Sequence, residues 1–213
     1  MKTTDSGSAA SRPLTARGKA TRTRIVQAAA KRVYAQGARA TSLDEVMEDS
    51  RTSKSQLYHY FANKDALLHA VIELQTSRVM ESQSPYIHRL DSMEGLWRWR
   101  DVVVAFSEST QGVGGCPIGS LASELSDRSE SARLLLVGSF KAWEGHLLSG
   151  LSAMRDRGVL AADADIHDLG TAAMSALQGG ILLAQTQRTA RPLRLALDMA
   201  INNIARHVRV PAA

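Results

Sequence analysis

The chain has 213 residues, 44% of them hydrophobic, which suits one large helical domain or a small module joined to a bigger one. Its one cysteine, Cys116, excludes an intrachain disulfide and a CxxC metal site, and no apolar run approaches the roughly 18 residues of a membrane-spanning helix. The net charge of +5 comes from residues 1–64, where twelve Lys and Arg stand against five Asp and Glu, and such localised basic charge indicates a polyanionic partner, most often nucleic acid. The polar N-terminal segment has no signal-peptide pattern, so a cytoplasmic protein is expected.

The first predicted elements are a tail and a helix. Residues 1–18 are rich in Gly, Ser, Thr and basic side chains without apolar periodicity, which predicts a disordered basic tail. From Thr21 the pattern becomes helical, and Gly37 is expected to end the helix. Its inward face is predicted from apolar residues four apart, namely Ile25, Ala29 and Val33.

Two capping boxes follow this helix. Ser42 with Glu45, and Ser53 with Gln56, each place a hydroxyl three residues before a Glu or Gln, which is typical of helix N-termini. Two such starts eleven residues apart predict two short helices and a tight turn between them. Three short helices in this order form a helix-turn-helix unit, so residues 19–65 are predicted to bind DNA.

The rest of the chain predicts longer helices. Apolar periodicity indicates six of them, beginning near Lys64, Ser92, Pro117, Asp127, Asp165 and Pro192. A glycine-rich break, Gly112–Gly115, separates the second from the third. No alternating pattern requires a strand, and we therefore predict an all-α fold in which residues 66–213 form a larger effector-binding and dimerisation domain.

The second helix of a helix-turn-helix motif lies in the major groove and brings its first turn to the base edges. Leu57 and Phe61, four residues apart, are predicted to anchor that helix from behind. The side chains expected to reach bases are Lys54, Ser55, Gln56 and His59. Phosphate contacts are expected from Tyr58, Tyr60 and Lys64, and from the helix N-termini at Ser42 and Ser53.

Residues Thr23–Val71 resemble the DNA-binding domain of the TetR family of transcriptional repressors, most densely over Ser53–Leu68. The resemblance implies a homodimeric repressor that binds a palindromic operator in double-stranded DNA and releases it when a small-molecule effector binds. It also places Thr41 and Ser42 at phosphate-contacting positions, and the side chains named above at base- and phosphate-contacting positions.

The turn before the recognition helix departs from the family pattern. Arg51 and Thr52 stand where members commonly have Gly and Val, and Ser55 and Gln56 replace the more usual Gly-Thr. Arg51 must then adopt a left-handed conformation at some energetic cost, or the turn must change. These differences leave the fold expectation intact, but the operator sequence cannot be inferred from them.

The stretch Gly115–Leu125 resembles one TetR subgroup with a Gly-Cys step followed by a Glu. Some members of that kind respond to electrophiles or oxidants through the cysteine. Cys116 is expected at a helix start, where the helix dipole would lower its thiol pKa, so a redox- or electrophile-sensing repressor is an alternative hypothesis. Cys116 as a small buried hydrophobe is the other interpretation, and Glu124 could orient a ligand or form a salt bridge.

An effector pocket is expected between the middle helices. Its candidate lining residues, each of which could instead be plain core, are Trp97, Phe106, Cys116, Phe140, Trp143, Met154 and Met174, with His146 and Gln178 as polar anchors. The last two helices are predicted to form the homodimer interface. Their proposed surface contains the small-residue stripe Ala172, Ala173, Ala176, Leu177, Gly180 and Leu183, with Leu195, Met199 and Ile201.

The alternatives are an enzyme and a purely architectural DNA-binding protein. Gly112–Pro117 begins like a dinucleotide fingerprint, but Pro117 stands where a third glycine belongs and no strand precedes it. No metalloprotease, serine-hydrolase or Walker motif is present in the sequence. We therefore predict neither catalysis nor a cofactor or metal. An architectural protein would lack an internal cavity.

Overall fold

The computed structural model describes residues 14–209, and in this range every regular element is helical. The α-helices are α1 (Ala16–Ala40), α2 (Leu43–Ser50), α3 (Lys54–Tyr60), α4 (Lys64–Ser82), α5 (Met93–Ser109), α6 (Pro117–Leu125), α7 (Glu130–Asp156), α8 (Ile166–Gln187) and α9 (Arg191–Ala205). A single 3-10 turn, Tyr86–His88, precedes α5. The all-α prediction is confirmed.

The first helix begins earlier than its apolar pattern predicts. The Thr15 hydroxyl accepts a hydrogen bond from the Gly18 amide and caps α1, so the helix starts at Ala16 rather than Thr21. Residues 1–13 of the expected tail lie outside the described residues. At the other end, Gly37 adopts a φ of 85° and breaks the helix, as predicted.

Both predicted capping boxes are present. The Ser42 hydroxyl accepts from the Glu45 amide and the Glu45 carboxylate accepts from the Ser42 amide, and Ser53 and Gln56 repeat the arrangement. Between them Arg51 has a φ of 51° and a ψ of 50°, so the turn keeps the left-handed residue that a glycine commonly provides.

A continuous hydrophobic core connects the two parts of the chain, extending from Ile25 in α1 to Ile204 in α9. Helix α4 packs against both α1 and α7 and thereby joins the helix-turn-helix unit to the larger helical part. The largest fully buried side chain is Trp99 of α5, whose indole N–H donates to the Gln83 side chain at 2.8 Å. The N-cap of α7 is Ser129, two residues after Asp127, so the helix begins at Glu130.

The small residues of α8 serve a different contact from the one predicted. Ala173, Leu177 and Gly180 are buried within the same chain, and a Cβ on Gly180 would lie 2.8 Å from the Leu193 Cα of α9. Ile201 of α9 is also buried. The expectation that this stripe faces a second subunit is therefore wrong for these residues. The large hydrophobic side chains that remain exposed on the α8–α9 hairpin are Leu182, Leu183, Leu195 and Met199.

No helix within residues 14–209 is both long enough and apolar enough to cross a bilayer.

Candidate functional site

One face of the recognition helix α3 packs into the hydrophobic core, and the opposite face is polar and exposed to solvent. Leu57 is fully buried and Phe61 is 3% exposed, so both predicted anchors pack into the core. The predicted base-contacting residues Lys54, Ser55, Gln56 and His59 are all exposed, as is Ser53. Four neighbouring polar side chains thus share a solvent-facing surface at the start of a helix.

The capping box constrains how Gln56 can be used. Its Oε1 accepts the Ser53 amide proton at 2.9 Å, while the Ser53 hydroxyl accepts from the Gln56 amide at 3.2 Å. A bidentate contact with adenine needs both the oxygen and the nitrogen of the side-chain amide. Because the oxygen is already engaged, Gln56 presents its Nε2 hydrogens as donors.

The predicted phosphate-contacting residues differ in exposure. Tyr58 is 45% exposed. Tyr60 is half-buried, and its hydroxyl lies 3.5 Å from the position of a Cβ on Gly18, so the ring packs toward the start of α1. The Lys64 ammonium donates to the Arg39 carbonyl at 3.1 Å, which leaves two of its three hydrogens for another acceptor.

Thr41 is more buried than a phosphate-contacting position suggests. The residue is 4% exposed, and its hydroxyl donates to the Gly37 carbonyl at 2.8 Å. In the free protein this hydroxyl is therefore engaged at the end of α1 and does not face solvent. Ser42 is exposed and its hydroxyl belongs to the capping box of α2.

The Arg32 side chain offsets part of the acidic charge in the helix-turn-helix unit. The Arg32 guanidinium binds Asp49 and Glu45, each at 2.7 Å. The hydrogen bond from Arg32 lowers the pKa of Asp49, and the backbone N–H of Ser42 is the main cause of the lowered pKa of Glu45. Both carboxylates therefore remain ionised and paired with α1, so the basic residues dominate the field of this unit.

A cavity of about 320 Å³ lies between α1, α4, α5, α6, α7, α8 and α9. Three predicted residues line it: Phe106, Cys116 and Trp143. Most of its wall is apolar, contributed by side chains such as Val79, Val102, Val103, Val113, Pro117, Ile181 and Leu193. The volume lies within the range typical of small-molecule sites.

Other predicted lining residues have different surroundings. Phe140 and Gln178 line a neighbouring cleft between α6, α7 and α8, which also reaches Cys116. Four predicted lining residues contribute to neither this cavity nor this cleft: Trp97, His146, Met154 and Met174. Trp97 lies beneath the Arg100 guanidinium, His146 contacts the His88 ring, and the two methionines are buried in the core.

Several polar residues of the cavity wall were not predicted, because no pattern in the sequence marks them as part of a ligand site. They are Tyr34 of α1, Gln75 and Arg78 of α4, Gln83 after α4, and Ser107 of α5. Tyr34 belongs by sequence to the helix-turn-helix unit, and its hydroxyl packs against Gly114, where a Cβ would overlap it. Only the packing of α1 across the larger domain brings this ring to the cavity.

The thiol of Cys116 is buried at the start of α6. Its Sγ accepts the Gly119 amide proton at 3.4 Å, so the predicted position at a helix N-terminus is confirmed. Burial nevertheless raises the pKa of Cys116, outweighing the opposing effects of the Gly119 N–H and the Gln178 amide. The expectation that the helix dipole lowers this pKa is wrong, because desolvation of the thiolate is the larger effect.

Glu124, at the other end of α6, contacts the DNA-binding unit. Its carboxylate accepts the backbone N–H groups of Ala38 at 2.7 Å and Arg39 at 2.5 Å. This contact is neither of the two predicted roles, ligand orientation or a salt bridge. No cluster of three potential metal ligands occurs in the described part of the chain.

Comparison with known proteins gives matches along most of the chain. Residues 25–71 match the bacterial regulatory proteins of the tetR family, and residues 93–199 match the C-terminal domain of LmrA/YxaF-like transcriptional regulators. The uncharacterised HTH-type transcriptional regulator YxaF of Bacillus subtilis is 29% identical over 85% of this chain and 93% of its own length. The HTH-type transcriptional regulator LmrA of the same organism is 25% identical, over 81% and 90% respectively.

Solved structures show the same fold. A TetR transcriptional regulator from Chloroflexus aurantiacus superposes with a TM-score of 0.76 at 24% identity, covering 92% of this chain and all of that one. The family matches are to regulators, which also confirms the prediction that the chain is not an enzyme. With a helix-turn-helix unit and a larger helical domain that both match it, the chain belongs to the TetR family of bacterial transcriptional regulators.

Proposed function

We propose that the protein is a ligand-responsive repressor that binds a palindromic operator as a homodimer and releases it when a small molecule occupies the cavity. The observation that carries the proposal is that α1 belongs to both sites: Tyr34 contributes to the cavity wall, while the same helix packs behind α3. Helix α6 adds a second connection, since it begins at the cavity with Cys116 and ends on α1 with Glu124. As a bacterial regulator, the protein would act in the cytoplasm.

In this proposal α3 enters the major groove. Lys54, with Ser55, Gln56 and His59, reaches base edges. The phosphate contacts come from Tyr58, Tyr60, Lys64 and the exposed helix starts at Ser42 and Ser53. The exposure of these residues in the free protein, complete except for the half-buried Tyr60 and Lys64, supports the assignments, and the buried hydroxyl of Thr41 has no part in them.

The effector is a predominantly apolar small molecule held without covalent chemistry. The apolar walls of the cavity favour such a ligand, and polar side chains including Gln75 and Ser107 can orient it. The raised pKa of Cys116 disfavours the thiolate that reaction with an electrophile or oxidant requires. Non-covalent binding is therefore favoured over sensing through this cysteine.

The dimer forms through α8 and α9. Leu182 and Met199 are 62% and 67% exposed, and with Leu183 and Leu195 they make an apolar surface on the outer side of the hairpin. A two-fold axis through this surface gives a four-helix interface and presents two copies of α3. Half-sites would then be spaced by roughly 34–36 Å or a multiple of that distance.

The dimer is tested with Met199→Glu, which puts a charge on the proposed interface. Light scattering should report a dimer for the wild type and a monomer for this variant. Leu134→Glu is the matched control, because Leu134 is 56% exposed and belongs to α7 rather than to α8 or α9. A dimeric Met199→Glu protein, or equal dissociation of both variants, would contradict the interface.

The function is tested by selecting a duplex from random DNA and titrating the complex with candidate small molecules in a gel-shift assay. A palindromic sequence should be recovered, and its affinity should fall steeply as salt is added. Compounds that bind the protein should release the duplex. Unchanged operator affinity with every compound that demonstrably binds would count against ligand response, and recovery of no preferred duplex would refute the proposed function.

A further inference from the structure

The break in α1 at Gly37 is held by a carboxylate from the larger domain. Beyond Gly37, the consecutive amides of Ala38 and Arg39 both donate to Glu124, one to each carboxylate oxygen. The partners are 86 and 85 residues apart in sequence. Hydrogen bonds to an ionised acceptor are stronger than neutral ones, and two from adjacent amides fix both position and orientation.

Gly37 is matched to this contact. Its φ of 85° points two successive amides to the same side, and a Cβ at this position would lie 3.1 Å from a Glu124 oxygen. A side chain here would be strained by the backbone conformation and would also crowd the carboxylate. The break in α1 therefore does more than end a helix, because it creates the site that Glu124 occupies.

The same short segment is held from its other side. The Lys64 ammonium, at the start of α4, donates to the Arg39 carbonyl, and Thr41 donates its backbone N–H and its hydroxyl to the Gly37 carbonyl. Helix α2 begins two residues after Thr41, and α3 follows through the Arg51 turn. The segment Gly37–Thr41, here called the joint, is thus fixed to α6 and α4, and the chain continues from it through α2 into the recognition helix α3.

On the basis of the proposed function, we infer that Glu124 is a positioning residue for operator binding. Its hydrogen bonds with the amides of Ala38 and Arg39, here called the clamp, set the orientation of each helix-turn-helix unit relative to the two half-sites. A dimer must present both recognition helices at one spacing, so an unclamped joint would spread them over many orientations. The affinity for one half-site depends on a single α3 and does not require this spacing. The clamp therefore acts on simultaneous engagement of the two half-sites.

The test is Glu124→Gln in the full chain. Glutamine has the same shape, but an NH₂ group replaces one of the two oxygens; in the position of Glu124 it therefore accepts from one amide and turns a donor toward the other. Glu130→Gln is the matched control, since it removes the same charge from an exposed glutamate whose partner is Arg133 of its own helix. The control accounts for the effect of one fewer negative charge on DNA affinity.

Two measurements are made on each protein. Amide hydrogen exchange at Ala38 and Arg39, followed by NMR on the free protein, should become at least about tenfold faster in Glu124→Gln and stay unchanged in the control. The affinities for the selected palindrome and for a duplex carrying one half-site are then compared by fluorescence anisotropy. Their ratio should fall at least about tenfold in Glu124→Gln, with half-site affinity within about twofold of the control.

Each other outcome overturns the inference in a recognisable way. Unchanged amide exchange in Glu124→Gln would show that there is no clamp, whatever the protein binds. Equal losses of palindrome and half-site affinity would assign Glu124 a general structural role, and an unchanged ratio would assign it none. If wild-type protein selects no duplex, the proposed function fails, and the positioning role fails with it even where exchange becomes faster.

Discussion

Gln56 has two roles that substitutions can separate. Its Oε1 accepts the Ser53 amide proton at 2.9 Å and completes the capping box, while its Nε2 is left to face DNA. Gln56→Glu keeps an oxygen for the capping box but removes the donor. Gln56→Ala removes both. The first variant should therefore bind DNA poorly without losing stability, and the second should lose both properties.

The expected magnitudes follow from these contacts. A carboxylate in the first turn of α3 is favoured by the helix dipole. The free energy of unfolding of Gln56→Glu should therefore equal that of the wild type or exceed it by about 0.3–1 kcal/mol. Gln56→Ala loses one net hydrogen bond, about 0.5–1.5 kcal/mol of stability. On DNA, one donor lost at each of two half-sites removes about 1–3 kcal/mol of binding free energy, a decrease in affinity of about 5- to 150-fold.

The assay pairs urea unfolding, followed by circular dichroism, with anisotropy titrations of the selected operator at one fixed salt concentration. Wild-type operator affinity in Gln56→Glu would refute the donor role of Nε2. A loss of stability in Gln56→Glu as large as in Gln56→Ala would refute the capping geometry instead. The two conclusions are independent, because one is measured on the free protein and the other on the complex.

Three further predictions concern the backbone and the thiol. Arg51→Gly should raise the free energy of unfolding by about 1 kcal/mol, because glycine adopts the left-handed conformation without strain. Arg51→Ala should give no gain in the same urea titration, and equal effects of the two variants would contradict backbone strain at this position. Iodoacetamide should alkylate Cys116 slowly at neutral pH, and the rate should keep rising as the pH passes the pKa of an ordinary thiol. A rate at pH 7 equal to that of the urea-unfolded chain would contradict the raised pKa of Cys116. Gly150→Ala places a Cβ 2.3 Å from the Leu90 carbonyl oxygen and should destabilise the protein by about 1–3 kcal/mol. The Cβ of Gly138→Ala, on the same helix, meets nothing within 4 Å, so this variant should be more stable by about 0.5–1 kcal/mol. Thermal unfolding distinguishes the two variants, and similar shifts in both would count against the close approach of Gly150 to Leu90.

Local features of the DNA-binding unit could be predicted from sequence because they depend on neighbouring residues. The Ser53–Gln56 capping box and the break at Gly37 each involve contacts within a few positions, whereas at Arg51 the sequence left a left-handed residue and a changed turn as alternatives. The start of α1 could not be predicted from apolar spacing, since its first turn is exposed and is fixed by the Thr15 cap. An exposed turn carries no periodic apolar signal.

Candidate ligand residues were harder to predict because aromatic and methionine side chains occupy core and cavity alike. Trp143 and Met154 lie on the same helix, yet only Trp143 lines the cavity. Tyr34 reaches the cavity from the DNA-binding unit, which no pattern in its own helix indicates. The position of a side chain relative to a cavity depends on helices distant in sequence.

The sequence by itself determined the helical fold, the helix-turn-helix unit and its polar recognition surface, because capping, periodicity and turn chemistry act between residues that are close along the chain. Only the tertiary structure decided which face of α8 packs inward, which side chains surround the cavity and what Glu124 binds. Burial and long-range hydrogen bonds depend on how distant helices meet. For Cys116 that distinction sets the sign of the pKa shift: its place at a helix start favours the thiolate, but burial by the surrounding helices favours the neutral thiol more strongly.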